Sequence, residues 1–357
     1  MSWNKDGISN EGANGSIARR SFLTGALATG VAGASLLAGG RRMMAQAGGP
    51  SAEVAPGGKH VKKITMEEHV FPKGFLEAVE KVGGHLPGNP AAAKKVVEYG
   101  EGRIREMDEY GIDMQILSLS FPALELFTSA ANAISCSKLV NDELAQAVQR
   151  YPKRFSAFCC VPLQDPKAAA DELERAVTKL GFHAVMINDN TPDRWLADQQ
   201  YEVLFEKMSK LNVPMYIHAD GPSTTDSGLH IVPQIMRLVD SDLLVKYPNL
   251  QFILGHAGES LPFWLNRLDG RWREHPDRPI KFSGYFKKNF SVTTSSQCWP
   301  LLLQFLIAVL GSDRIMFATD YPYESLEQAV KFIDSAPISG SDRELICHSN
   351  AEKLLRI

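Results

Sequence analysis

The sequence predicts a (β/α)8 barrel. Two observations carry the expectation. Eight short apolar segments alternate with helical ones along residues 60–357, with no composition break. The reactive side chains gather at the C-terminal ends of those segments, which in a barrel form one mouth. The runner-up is a doubly wound open sheet. No G-x-G-x-x-G follows a strand and no P-loop occurs, which weighs against its nucleotide-binding versions.

Taken in order, the strands are expected over residues 62–67, 113–119, 155–162, 183–188, 213–218, 251–255, 290–294 and 315–320. Between them helical spacing marks 103–110, 137–151, 165–180, 198–211, 258–272 and 300–310, with 326–336, 341–347 and 350–355 closing the chain. The helix at 165–180 has the clearest punctuation. Asp165 is its expected cap, Pro166 occupies the first position and Gly181 lies just past its end. Residues 84–101 read as a Gly/Pro-rich loop near the mouth.

The 357 residues are 44% hydrophobic and carry a formal charge of -3. That is ample for one barrel of about 250 residues with a leader and insertions. There is no basic stripe interleaved with aromatics, so nucleic acid is not an expected partner. Ahead of the barrel, residues 1–47 differ in kind. Arg19 and Arg20 precede Ser21-Phe22-Leu23, a run of small and apolar residues follows to Gly40, and Ala45-Gln46-Ala47 forms a small-x-small cleavage site. The run is less apolar than a spanning helix requires. The expectation is a twin-arginine export signal, a linker over 48–59, a periplasmic location and no stable membrane insertion after processing. The five cysteines, Cys136, Cys159, Cys160, Cys298 and Cys347, form no C-x-x-C pair and suggest neither disulfides nor a thiolate site.

The chemistry starts at Glu67-Glu68-His69, where the first strand ends. Alternation sends Glu67 and His69 to one face, half of a divalent-metal site, and Glu68 to the other. There Glu68 would be a buried acid between barrel and helices, in need of a partner. His218 ends the fifth strand, His256 the sixth, and Asp320 the eighth. A histidine at one strand end, or an acid before one helix, is commonly structural; five such residues at one mouth make a site. Of the nine histidines, His60, His183, His275 and His348 read as structural or solvated, and His85 and His230 lie in loop-like segments.

These residues resemble a known family. Glu67-Glu68-His69, His218, Gly255-His256-Ala257-Gly258-Glu259 with Leu261-Pro262 and Arg267-Leu268-Asp269, and Thr319-Asp320-Tyr321-Pro322-Tyr323-Glu324 look like the amidohydrolase-related aromatic acid decarboxylases. That group includes the γ-resorcylate, 2,3-dihydroxybenzoate and aminocarboxymuconate-semialdehyde decarboxylases. Val161-Pro162-Leu163-Gln164-Asp165-Pro166 shares the likeness, which covers residues 60–357. The resemblance implies that Glu67, His69, His218 and Asp320 hold one divalent ion, Zn²⁺ or Mn²⁺. It also implies a His256–Glu259 pair beside the ion, Arg267 near the substrate carboxylate, Tyr323 lining the pocket, and a homodimer or homotetramer.

The implied reaction is loss of CO₂ from a hydroxylated aromatic or related unsaturated acid. Asp320 would deliver a proton to the carbon bearing the carboxylate and His256 would relay it. The alternative is mononuclear hydrolysis of a lactone, ester or amide on the same barrel. Two-metal hydrolases of this superfamily open with His-x-His and carry a lysine on the fourth strand. Here the opening is Glu67-x-His69, and Ile187-Asn188-Asp189-Asn190 contains no lysine, which favours one metal and decarboxylation. Two features depart from the family pattern: Ala219-Asp220-Gly221-Pro222 after the fifth-strand histidine, where Pro is frequent, and the export signal.

Overall fold

The structure, a computed structural model, describes residues 60–84, 90–189, 195–219, 224–272, 278 and 280–357. The expected leader and linker, His85, Asp220, His275 and the side chain of His230 lie outside the described residues. The eight strands are β1 (Ile64–Val70), β2 (Met114–Leu119), β3 (Phe155–Ala157), β4 (Val185–Asp189), β5 (Met215–Ala219), β6 (Phe252–Leu254), β7 (Phe290–Thr293) and β8 (Ile315–Met316). All named pairings are parallel, in the orders β1-β2-β3 and β4-β5-β6-β7-β8. Two bridges join these sheets at both seams. Cys159 pairs with Val185, and Met66 with Ala318. The amide of Met186 donates to Cys159 O at 2.9 Å, and that of His69 to Tyr321 O at 2.7 Å. The ring is therefore closed, and no edge is left open between β8 and β1.

The core divides as a closed barrel requires. Ile64, Met66, Ile116, Phe158, Met186, Tyr216, Ile253 and Met316, drawn from nearly every strand, form one buried cluster, the barrel interior. The alternate residues, among them Val70, Leu117, Ile187, Ile217, Phe252, Leu254, Phe290 and Val292, pack outward against the helices. Each fully buried residue of this size contributes roughly 1.5–3 kcal/mol through removal of apolar surface from water. Asp165 caps the helix Pro166–Arg175, accepting from the Ala168 amide at 3.0 Å.

Boundaries differ from expectation where backbone bends. β3 and β8 are shorter than their apolar runs because each ends in a single bridge. The helix expected over 258–272 is Leu261–Arg271. It starts late because His256, Ala257 and Glu259 have positive φ and form a tight turn instead. The helices Lys73–Lys81, Thr224–Asp240 and Phe282–Asn289 were not legible from spacing.

Candidate metal centre and catalytic site

The site begins with a break in alternation. Ile64 and Met66 point into the barrel, so strict alternation would send Glu67 and His69 outward. Instead, Met66 pairs with Ile116 and Glu68 with Leu117, leaving Glu67 unpaired in a β-bulge at φ 66°. The extra residue resets the phase. Glu67 and His69 both reach the mouth, as expected, while Val70 returns to the outer core.

There Glu67, His69, His218 and Asp320, all buried, bring one ligand atom each to within 4.8 Å of one another. His69 Nε2 lies 3.1 Å from Asp320 Oδ1, and His218 Nε2 lies 3.1 Å from Glu67 Oε1. Ligand atoms roughly 2.1 Å from one ion are themselves about 3.0–3.4 Å apart, so this spacing suits a shared cation. Despite its neighbours, Glu67 Oε1 has no hydrogen bond of acceptable geometry, and His69 Nδ1 and His218 Nδ1 are likewise buried without one. A buried carboxylate oxygen facing imidazole nitrogens is expected where an ion belongs. The donor set of two imidazoles and two carboxylates suits one divalent ion of the Zn²⁺ or Mn²⁺ type.

His256 completes the cluster. Its Nε2 is 3.1 Å from Glu67 Oε1 and 3.7 Å from Asp320 Oδ2, and its Nδ1 is 2.7 Å from Glu259 Oε1. Burial alone would depress its pKa, but the charge of Glu67, the nearby Asp320 carboxylate and the hydrogen bond to Glu259 raise it well above the ordinary histidine value. Burial would raise the carboxyls of Glu67 and Asp320. The charge of His256, with His218 close by, takes Glu67 well below its usual range, and the close approach of His256 and His69 takes Asp320 below its own. These directions suit the expected relay, in which His256 supplies a proton that Asp320 delivers. His218, by contrast, is lowered, first by burial.

Several residues that hold the site were missed from the sequence. The Tyr216 hydroxyl donates to Glu67 Oε2 and lies 3.2 Å from Thr293 Oγ1. Tyr216 could have been found: it is two residues before His218 and shares its face. Gly255 passes so close that a Cβ there would sit 3.0 Å from the Tyr216 hydroxyl and 3.1 Å from Glu67 Oε1. Glu68 has its partners, Gln115 Nε2 at 2.8 Å and Thr319 Oγ1 at 2.7 Å. Burial pushes its carboxyl up to about 8 against the Thr319 bond and the nearby charge of Arg103. Buried Arg103 donates to the carbonyl of His69 at 2.9 Å and stacks 4.5 Å from the centre of the Tyr321 ring, bracing β1 and the β8 end together.

Tyr323 stands beside the cluster, its ring 5.3 Å from that of His69 and its hydroxyl 2.7 Å from Ser120 Oγ. Arg267 is exposed on the helix Leu261–Arg271, its guanidinium 5.9 Å from the Trp264 ring centre.

A closed parallel barrel with a buried Glu/His/His/Asp cluster at the C-terminal strand ends defines the class: a metal-dependent barrel enzyme of the amidohydrolase type. Comparison with known proteins gives the family. Residues 64–357 match the amidohydrolase family model described as Amidohydrolase, and the chain belongs to that family. It is 34% identical over 324 residues to a γ-resorcylate decarboxylase of Polaromonas sp. (strain JS666), covering 83% of this chain and 98% of the relative. Among solved structures it is similar to 5-carboxyvanillate decarboxylase from Sphingomonas paucimobilis, with 31% identity, a TM-score of 0.76, and 83% and 99% of the two chains covered. It is similar too to a dihydroxybenzoic acid decarboxylase from Polaromonas sp. JS666, solved with manganese and 2-nitroresorcinol. There the identity is 32%, the TM-score 0.76, and the coverage 83% and 97%.

Proposed function

We propose that this protein is a metal-dependent, non-oxidative decarboxylase of a hydroxylated aromatic carboxylic acid. The observation that carries the reading is the donor set: a buried Glu67-x-His69, His218 and Asp320, with the charged His256–Glu259 pair in contact with two of the four. β4, Val-Met-Ile-Asn-Asp, offers no lysine to bridge a second ion. The decarboxylases that share the fold and most of this chain's length support the same reaction.

Glu67, His69, His218 and Asp320 would hold the ion, which when bound supplies Lewis acidity and a template for a carboxylate and an adjacent phenol oxygen. The other roles belong to the chain. Glu259 fixes His256 Nδ1, so that Nε2 carries its proton toward Asp320 Oδ2. Asp320 passes that proton to the ring carbon bearing the carboxylate. The C–C bond then breaks, its electron pair returns to the ring, and CO₂ leaves. Tyr323 walls the pocket against His69.

The test is metal analysis of the purified protein, followed by screening o-hydroxybenzoates for CO₂ release beside lactones, esters and amides. One transition metal per chain and CO₂ release are expected. Hydrolysis without CO₂ release overturns the reading. We further propose export by the twin-arginine route to the periplasm, supported by Arg19-Arg20 and Ala45-Gln46-Ala47. Replacing both arginines with lysine should leave the protein in the cytoplasmic fraction. A homodimer or homotetramer is proposed from the family likeness, and sedimentation velocity measures it.

A further inference from the structure

We infer that Ser296 is a positioning residue of the metal centre: its hydroxyl, donated to Oδ2 of Asp320, holds that carboxylate with only Oδ1 turned to the ligand cluster. The inference rests on the metal-centre reading and adds a residue outside the ligand set. Ser296 follows β7 and is exposed at the mouth, so packing does not retain it. Its φ is 54°, a conformation glycine adopts freely and a Cβ makes costly. A serine there keeps a hydroxyl that glycine would lack, and that hydroxyl meets Asp320.

The segment around it is built to aim this contact. Thr294 Oγ1 is 3.1 Å from both the amide and the carbonyl of Ala318, which ties the loop to the run leading into Asp320. Ser295 Oγ accepts the His256 amide at 2.9 Å and bonds Thr293 Oγ1 at 2.9 Å. The neighbours of Ser296 are thus pinned to β7, to His256 and to the approach to Asp320, and its backbone has no freedom to relax. Asp320 is held by both oxygens, with Oδ1 3.1 Å from His69 Nε2 and Oδ2 accepting from Ser296 on the side where His256 Nε2 lies 3.7 Å away. A carboxylate fixed in this way presents one oxygen to a cation, whereas a free one can rotate to present two.

The experiment uses Ser296→Gly and Ser296→Ala in the full chain. Mn²⁺ affinity is read by chelator competition, and melting is read on the metal-free protein. Both variants are expected to weaken Mn²⁺ binding about tenfold, the size seen when an outer partner of a ligand is removed. Metal-free Ser296→Gly is expected to melt at or above the wild-type temperature, because it relieves the positive φ. Ser296→Ala keeps the Cβ and gains nothing. A purely structural serine would move melting and leave Mn²⁺ affinity alone. Affinity within twofold of wild type in both variants overturns the inference while leaving the metal centre standing. Wild type that takes up no Mn²⁺ overturns both.

Discussion

Replacing Tyr216 with Phe tests whether the barrel interior tunes the metal centre. The change removes one oxygen and keeps the ring, including its contact with Phe158 at 5.4 Å between centroids. Burial, the Glu67 charge and the bond to Glu67 raise the Tyr216 phenol well above its ordinary value, so it is a neutral donor at any working pH. What is lost is its bond to Glu67 Oε2. A hydrogen bond to a charged group is worth about 1.5–3 kcal/mol. Thr293 Oγ1, already 3.5 Å from the same oxygen, can close part of the gap, which favours the lower end. At about 1.4 kcal/mol per tenfold, that is a roughly 10- to 100-fold loss of metal affinity. Chelator competition with Mn²⁺ at fixed pH reads it, together with the melting temperature with and without metal. A bound ion stabilises by an amount set by its dissociation constant, so the metal-induced rise in Tm must shrink in the variant. An unchanged dissociation constant with an undiminished rise would refute the idea that Tyr216 orients Glu67.

Three further outcomes are expected. Gly255 has φ -63°, which alanine adopts without strain. Gly255→Ala should therefore fold, yet lose about tenfold in metal affinity because its Cβ crowds Glu67 and Tyr216; full metal content at wild-type affinity would contradict this. Asp320→Asn should keep the folded state by circular dichroism and lose about 10²–10⁴-fold in turnover, measured as CO₂ release, with near wild-type rates excluding its role in proton transfer. For Glu68 the native carboxyl is raised to about 8, so the folded state binds the extra proton between the unfolded value near 4.5 and pH 8. Stability should fall as pH rises through that window, by at most about 4–5 kcal/mol at 1.36 kcal/mol per unit. Glu68→Gln should flatten this slope in denaturant melts from pH 5 to 9, and an unaltered slope would show that Glu68 is not its source.

How much was legible in the sequence depends on what each signal reports. Apolar runs alternating with amphipathic ones report burial, and they located all eight strands. Residue type at strand ends reports chemistry, and it named the four residues the structure brings together. Side-chain alternation also assigned Glu68 to the outer face, though for an incomplete reason, since it did not foresee the bulge that makes it true. Tyr216 stayed hidden because an aromatic in a strand reads as core, and most of its surface is core. Ser295 and Ser296 stayed hidden because a loop hydroxyl has no pattern until the fold sets its partner. The site of the proton was also beyond sequence. It depends on which charges surround each group, and the sequence does not give the 3.1 Å and 3.7 Å distances from His256 to Glu67 and Asp320.

The backbone explains why the cluster needs a closed barrel beneath it. Glu67, His256, Glu259, Ser296 and Asp320 all have positive φ. Such residues cost about 1–3 kcal/mol each, so together the site opposes folding by an amount comparable with the roughly 5–15 kcal/mol net stability of a whole domain. Glycine would remove the cost at each position, but it would also remove the carboxylate, imidazole or hydroxyl. The strain is therefore concentrated where side-chain chemistry forbids the easy residue. It is held there by elements that cannot yield: the seam bonds between β1 and the β8 end, the Arg103 brace behind His69, and the Thr294 tie to Ala318. The buried carboxylates of Glu67 and Asp320, brought together away from water, add to that opposition, and a divalent cation is the ligand that offsets their charge. Metal uptake should thus be coupled to the stability of this mouth more than to that of the outer helices. The amides of β1 and of residues 293–296 should gain hydrogen-exchange protection on Mn²⁺ binding while those of the helix Ala130–Arg150 do not.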